Sequence, residues 1–182
     1  DAHGRNTAVG YNALATLNAG SEGNNTAIGY SALYTNTTGA NNVAVGSLTL
    51  DANTTADGNT AVGQGAMSGT TTGANNIAIG LSSLYTNTTG ASNTALGQGA
   101  LFANTTANLN TAVGFGAMYA NTTGTRNIGI GANAYNASDT ESDNVAVGYD
   151  AMTTNTAGGE KNVAIGNYAL DALTSGDINT AV

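Results

Sequence analysis

The sequence has no cysteine, no proline and no tryptophan, and only 8% of its residues are charged. Without cysteine, disulfides contribute nothing to stability. The formal net charge is −8, and 3 lysine and arginine residues are too few to neutralise a run of phosphates. We therefore expect no nucleic-acid partner. No apolar stretch of about 18 residues is present, so we also expect no membrane insertion by this segment.

Residues that support catalysis are equally scarce. His3 is the one histidine in the sequence, whereas a nucleophile–histidine–carboxylate set needs a central histidine and metal sites need several histidines or cysteines. The glycines do not form the G-x-x-x-x-G-K-[ST] pattern of a phosphate-binding loop. The sequence therefore predicts neither an enzyme nor a cofactor site.

The sequence does contain a repeat. The motif Asn-x-Ala-[Val/Ile/Leu]-Gly recurs at a spacing of 17 residues, lengthened to 19 and 18 in two copies, and Gly129 replaces the alanine once. We number each copy from its asparagine. The position-1 asparagines are Asn6, Asn25, Asn42, Asn59, Asn76, Asn93, Asn110, Asn127, Asn144, Asn162 and Asn179. The position-5 glycines are Gly10, Gly29, Gly46, Gly63, Gly80, Gly97, Gly114, Gly131, Gly148 and Gly166.

This period predicts an all-β fold, a parallel β-solenoid with 17-residue coils. Positions 2 to 4 suit a short strand and positions 7 to 10 a second one, with the glycine at a corner between them. The Asn-Thr-Thr-Gly run at positions 12 to 15 is typical of a return turn. We interpret residues 1–182 as a single repeat array of about ten coils, and as a segment of a longer fibre, with neighbouring coils about 4.8 Å apart.

Two columns of large apolar residues are the predicted core, together with alanines at positions 3 and 8. At position 4 they are Val9, Ile28, Val45, Val62, Ile79, Leu96, Val113, Ile130, Val147 and Ile165. At position 9 they are Leu14, Leu33, Leu50, Met67, Leu84, Leu101, Met118, Met152 and Leu170. The position-1 asparagines are predicted to form a hydrogen-bonded ladder, in which each side-chain amide donates to the next and accepts from the last.

Such a coil buries few large side chains, and this predicts association with further copies. Two aliphatic side chains contribute about 2–3 kcal/mol each, against a conformational entropy of about 25 kcal/mol for ordering 17 residues. Position 2 mixes threonine, valine and isoleucine, as suits a surface half buried against another chain. We expect a homo-oligomer, a trimer around a common axis, with a filament as the alternative.

The repeat resembles a known family at particular residues. Asn42-Val43-Ala44-Val45-Gly46 is similar to the head repeat of trimeric autotransporter adhesins, the YadA-like head, and the run from Asn25 to Leu33 is similar to repeat arrays of phage tail fibres. The resemblance implies a left-handed parallel β-roll, three chains per fibre and a role in display or attachment. The 17-residue period is slightly longer than that of adhesin heads.

Several further residues are candidates for binding or modification. Asp139, Glu141 and Asp143 alternate in one loop, as either a weak Ca²⁺ site or a solvated turn. Aromatic residues in two columns would either stack on sugars or cover coil edges. The position-6 column contains Tyr11, Tyr30, Phe115 and Tyr149, and the position-10 column contains Tyr34, Tyr85, Phe102 and Tyr119.

Most of the glycosylation sequons lie in the predicted return turn, which we expect to be exposed. They begin at Asn24, Asn36, Asn53, Asn87, Asn104, Asn121 and Asn136. Turn chemistry alone is the other interpretation of these asparagines.

The expected function is that of an extracellular fibre segment, on a cell or virion surface, that attaches to an unknown surface receptor or glycan. A phage tail-fibre shaft is one alternative. An ice-binding solenoid is another, through threonine pairs such as Thr37 and Thr38 that stack from coil to coil.

Overall fold

The computed structural model describes residues 5–17, 23–154 and 158–182. In these residues the secondary structure consists of short strands joined by turns, with no helix. One strand begins at position 2 of each copy. The strands are β1 (Thr7–Val9), β2 (Thr26–Ile28), β3 (Val43–Val45), β4 (Thr60–Val62), β5 (Ile77–Ile79), β6 (Thr94–Leu96), β7 (Thr111–Val113), β8 (Ile128–Ile130), β9 (Val145–Val147), β10 (Val163–Ile165) and β11 (Thr180–Ala181).

The strands form one parallel sheet in the order of the chain. Each strand pairs with that of the following coil without a shift in register, so that Val43 lies opposite Thr60 and Ala44 opposite Ala61. The longer coil between β9 and β10 keeps this register. The chain is therefore an all-β parallel β-solenoid of about ten 17-residue coils, and the predicted fold class is confirmed.

The second strand predicted at positions 7 to 10 does not form in any described coil, and that prediction was wrong. Residues at positions 7 and 9 have positive φ, as at Ser31 (52°) and Leu33 (50°). This left-handed backbone turns the chain and costs about 1–2 kcal/mol per non-glycine residue. Full burial of the Leu33 side chain, worth about 1.5–3 kcal/mol, offsets that cost.

The core is a narrow column of alanines and position-9 side chains. Alanines at positions 3 and 8 are fully buried in most coils, as Ala27 and Ala32 are. Leu170, in the last complete coil, is partly buried and packs against this core. The predicted position-9 residues that are buried are Leu14, Leu33, Leu50, Met67, Leu84, Leu101, Met118 and Met152.

The position-4 column lies on the surface, so its assignment to the core was wrong. Side chains alternate along a strand, and the alanine at position 3 occupies the inward face. Positions 2 and 4 therefore both point outward. The residues concerned are Val9, Ile28, Val45, Val62, Ile79, Leu96, Val113, Ile130, Val147 and Ile165, which are half-buried or exposed.

The position-5 glycines turn the chain at the end of each strand, with φ between 127° and 140°. They also stack closely along the sheet. A β-carbon at Gly29 would lie 2.3 Å from the carbonyl oxygen of Gly46. Conformation and space therefore both require glycine at this corner.

Candidate functional site

The position-1 asparagines form a continuous buried ladder. At all ten steps from Asn6 to Asn179, the side-chain Oδ1 accepts the backbone N–H of the next asparagine at 2.8 to 3.0 Å. Each Nδ2 from Asn25 to Asn162 donates to a main-chain carbonyl near the end of the same copy, as Asn42 does to Ala56 at 2.8 Å. The ladder is therefore mainly side chain to main chain, and the predicted amide-to-amide bond forms in addition at three steps, between Asn76 and Asn59, Asn93 and Asn76, and Asn179 and Asn162.

A second ladder runs along position 12, and here the amides do bond to one another. Asn104 Nδ2 donates to Asn87 Oδ1 at 2.8 Å, and Asn53 Nδ2 donates to Asn36 Oδ1 at 2.9 Å. Where Thr70 and Ser138 replace asparagine, the Oδ1 atoms of Asn53 and Asn121 are buried and have no hydrogen-bond partner in the described part of the chain.

This second ladder corrects the expectation of exposed sequons. The side chains of Asn36, Asn53, Asn87, Asn104 and Asn121 are fully buried. A glycosyltransferase cannot reach a buried amide in the folded chain, so these residues are structural. Asn24 is exposed and Asn136 is half-buried.

The three acidic side chains do not converge on a metal position. The Glu141 carboxylate is buried and accepts hydrogen bonds from the Ser138 hydroxyl (2.6 Å) and the Gly158 amide (3.0 Å). Asp143 forms a two-point ion pair with Arg126, at 2.6 and 2.8 Å. Within residues 5–17, 23–154 and 158–182, no group of three histidine or carboxylate side chains is placed to hold a metal ion. The weak Ca²⁺ candidate is therefore not supported by the geometry.

The same contacts set the protonation of these groups. Burial acts to raise the pKa of the Glu141 carboxyl, but the hydrogen bonds from Ser138, Gly158 and Thr140 outweigh it and hold that pKa below its ordinary value. The hydrogen bond and charge of Arg126 lower the pKa of the Asp143 carboxyl in the same direction. Glu141 is consequently a carboxylate that holds a turn together.

The threonine pairs in the return turn have divided roles. The position-13 hydroxyls donate to the main-chain carbonyl of the next coil, as Thr37 does to Thr54 at 3.0 Å and Thr88 to Thr105 at 3.0 Å. The position-14 residues, such as Thr38, are exposed. Half of the threonine array proposed for ice binding is thus engaged in holding coils together. His3 lies outside the described residues.

The outward side of the sheet, which we call the strand face and define as positions 2 and 4 of every coil, carries an apolar column at position 4 and a column of threonine, valine and isoleucine at position 2. On it, Ile77 is 42% exposed, Ile79 44% and Ile165 42%. Because the strands are in register, the side chains at each of these two positions form a straight column along the rod. Neighbouring side chains within a column are about 4.8 Å apart.

The aromatic residues form stacks on another part of the coil. Phe102 lies between Tyr85 and Tyr119 with ring centroids 5.3 and 4.8 Å apart and planes within 4° of parallel. Tyr11 and Tyr30 stack at 5.9 Å. Sequence reasoning identified these columns, but the grooves beside them depend on glycines at position 7, whose role was not predicted.

Comparison with known proteins adds no relative: no family model, no curated protein and no solved structure matches the chain. The resemblance to adhesin heads and tail fibres accordingly rests on the repeat motif. Across the described ranges, the chain forms no helix with the length and apolar character needed to cross a bilayer.

Proposed function

We propose that the chain is a structural segment of an extracellular fibre, in which copies associate through the strand face and present the remaining surface for attachment. The observation that carries this proposal is the outward position of the apolar position-4 column along the whole sheet, including Val9 at 57% exposure and Ile130 at 39%, beside a position-2 column of threonine, valine and isoleucine. Soluble monomers rarely leave a long, contiguous apolar surface in water.

The partner that best suits the strand face is another copy of the same chain. Its columns repeat every coil, at about 4.8 Å, over roughly 50 Å. A globular partner has no matching repeat, whereas a second copy offers the same pitch and the same residue types along its full length. The resemblance to trimeric adhesins favours three copies around an axis, which would enclose the three strand faces together.

Attachment is the part of the proposal that follows from shape and charge. A rod of stacked coils holds its outer turns at fixed spacing, so that a weak contact is repeated many times along one fibre. The net charge of −8 keeps such rods soluble and apart except where apolar faces meet. Such a segment would serve equally in a cell-surface adhesin and in the shaft of a phage tail fibre.

The experiment is to place a charge on the strand face and measure the assembled mass. Ile79→Asp puts a carboxylate at the centre of the face, and we expect the assembly to dissociate into monomers of 17.8 kDa with an unchanged β-sheet spectrum. Leu109→Asp is the matched control, because Leu109 is 58% exposed and Asp143 occupies the same repeat position in another coil. Equal masses for both variants would refute association through this face.

A further inference from the structure

The column of rings at position 10 is interrupted, and the interruption leaves one ring uncovered. Tyr85, Phe102 and Tyr119 stack on one another, but the preceding coil has Ser68 at the same position. Gly65 lies beside the Tyr85 ring, where a β-carbon would be 3.3 Å from Cε2. The side of Tyr85 that faces Ser68 therefore has no ring stacked on it, and Tyr85 is 38% exposed.

This interruption is part of an open groove of about 370 Å³. Its apolar walls are Tyr85, Phe102 and Leu48, and its polar atoms come from Gln64, Ser68 and Ser82. The Ser68 hydroxyl donates to Asp51 Oδ1 at 2.6 Å.

A second groove of about 200 Å³ lies at the equivalent place two coils further along the rod, with Phe102 in the position of Ser68. Gln98, Gly99 and Tyr119 replace Gln64, Gly65 and Tyr85. The offset of 34 residues corresponds to about 10 Å along the axis. The two grooves share Phe102 and Ser82, so they are continuous sections of one track.

The chemistry of the track indicates a neutral, amphipathic ligand. None of the three cations of the chain, Arg5, Arg126 and Lys161, is among the residues that line the two grooves, so no lining side chain neutralises an anion. Ring faces attract C–H groups, and the amide and hydroxyl side chains both donate and accept hydrogen bonds. A pyranose offers both, since its C–H face is apolar and its rim carries hydroxyls.

We propose that this track, between residues 48 and 119, binds a neutral oligosaccharide that lies along the rod and stacks one sugar on the free side of Tyr85. The axial repeat of the grooves is comparable to the length of a disaccharide unit in an extended chain. The proposal rests on the proposed attachment function and names its ligand class. The track is separated from the strand face by the position-5 corner, so that self-association leaves it open.

The test uses the whole chain and three probes, namely cellohexaose, maltohexaose and N-acetylchitohexaose, with binding followed by saturation-transfer NMR and titration calorimetry. We expect at least one to bind. Ser68→Tyr extends the ring column by one coil beyond Tyr85 and should reduce affinity at least tenfold. Thr153→Tyr places the same ring at position 10 of a distant coil and should leave affinity unchanged.

A second variant keeps the proposal falsifiable if Ser68→Tyr fails to fold. Tyr85→Leu retains an apolar side chain but removes the stacking ring, and it too should lower affinity at least tenfold. The proposal would be overturned if the unmodified chain bound none of the three probes. It would also be overturned if Tyr85→Leu bound a probe with the same affinity as the unmodified chain. A chain of oligomeric mass that binds no probe would refute the oligosaccharide track while leaving the fibre proposal standing.

Discussion

The regular coils and the coil formed by residues 127–143, which we call the exceptional coil, use different residues to form the hydrogen bonds of the return turn. In a regular coil, an asparagine at position 12 bonds to the carbonyl of position 15 and to the amide in the neighbouring coil, as Asn104 does with Ala107 (3.3 Å) and Asn87 (2.8 Å). In the exceptional coil, Ser138 and Glu141 occupy these positions, and the carboxylate of Glu141 reaches the Gly158 amide of the next coil.

The interior of the exceptional coil also differs from that of a regular coil, at two positions. Tyr135 replaces the usual leucine or methionine and is fully buried, with its phenol oxygen 2.5 Å from Nδ2 of Asn144. Gly129 replaces alanine, and a β-carbon there would lie 2.6 Å from Cγ of Met118. Both kinds of coil thus have satisfied main-chain groups and a filled interior, and different combinations of residues meet these two requirements together.

The largest effect is expected in the ladder that both kinds of coil share. Asn93→Ala removes the acceptor for the buried Asn110 amide and the donor to the Ala107 carbonyl. The buried main-chain N–H of Asn110 loses its acceptor, at a cost of about 1–3 kcal/mol, whereas the Ala107 carbonyl keeps its bond from Asn104 and loses a hydrogen bond worth about 0.5–1.5 kcal/mol. We therefore expect a loss of about 1.5–4.5 kcal/mol in the free energy of unfolding. Denaturant unfolding at one fixed protein concentration measures it.

The control for that variant is Asn108→Ala. Asn108 also accepts a main-chain N–H from the preceding coil, from Ala91 at 2.7 Å, but it is exposed and water can replace it. We expect a loss below about 1 kcal/mol. Equal losses at the two sites would contradict the claim that burial makes the position-1 ladder essential.

The second prediction converts the exceptional turn into a regular one. Ser138→Asn and Glu141→Gly should each destabilise the chain alone, Glu141→Gly by about 1.5–3 kcal/mol because hydrogen bonds to a charged group are lost. Together they rebuild the regular pair and supply a partner for Asn121 Oδ1, so the double variant should regain most of the stability. Additive losses in this double-mutant cycle would show that the two positions are not coupled.

The third prediction separates the turns by their response to pH. Because the folded-state pKa of Glu141 is lowered, its stabilising contribution is present above the unfolded pKa of about 4.3 and is lost as pH falls through the folded value. Thermal unfolding between pH 7 and pH 3 should therefore show a steeper acid loss for the natural chain than for the double variant. Parallel curves would mean that the Glu141 carboxyl gains nothing on folding.

The smallest effect concerns a regular coil with one missing amide. Thr70→Asn joins the two parts of the position-12 ladder on either side of Thr70 and gives the buried Asn53 Oδ1 a donor. We expect a gain of about 0.5–1.5 kcal/mol, which raises the melting temperature by roughly 2–5 °C in a chain of this size. Thr72→Asn, at the exposed threonine two residues later, is the control and should leave the melting temperature unchanged.

Much of the fold could be predicted from the sequence, because the period, the strand at positions 2 to 4 and the corner glycine are local properties. The surface position of Val45 and its equivalents could not. A Val-Ala-Val strand does not show which face points inward, and the usual preference for burying large residues gave the wrong face. The interior is already filled by positions 8 and 9, so the strand contributes only a methyl group.

The details of the candidate surfaces also depend on the folded coil. Leucine and methionine rarely adopt positive φ, so the sequence favoured a second strand at positions 7 to 10. The positive φ at position 9 is explained only by the folded coil, in which burial of a side chain such as Leu33 offsets its cost. An asparagine side chain can bond equally well to another side chain or to the main chain. The sequence therefore does not show which partners the position-1 asparagines have. Burial of Asn36 follows from stacking, which no single copy indicates.

The most direct test of self-association through the strand face is the mass of the unmodified chain by sedimentation equilibrium over a wide range of concentrations. The proposed fibre predicts a stable multiple of the 17.8 kDa chain mass, three times that value for a trimer, that persists on dilution. A folded, soluble species with a mass of 17.8 kDa at every concentration would contradict self-association through the strand face.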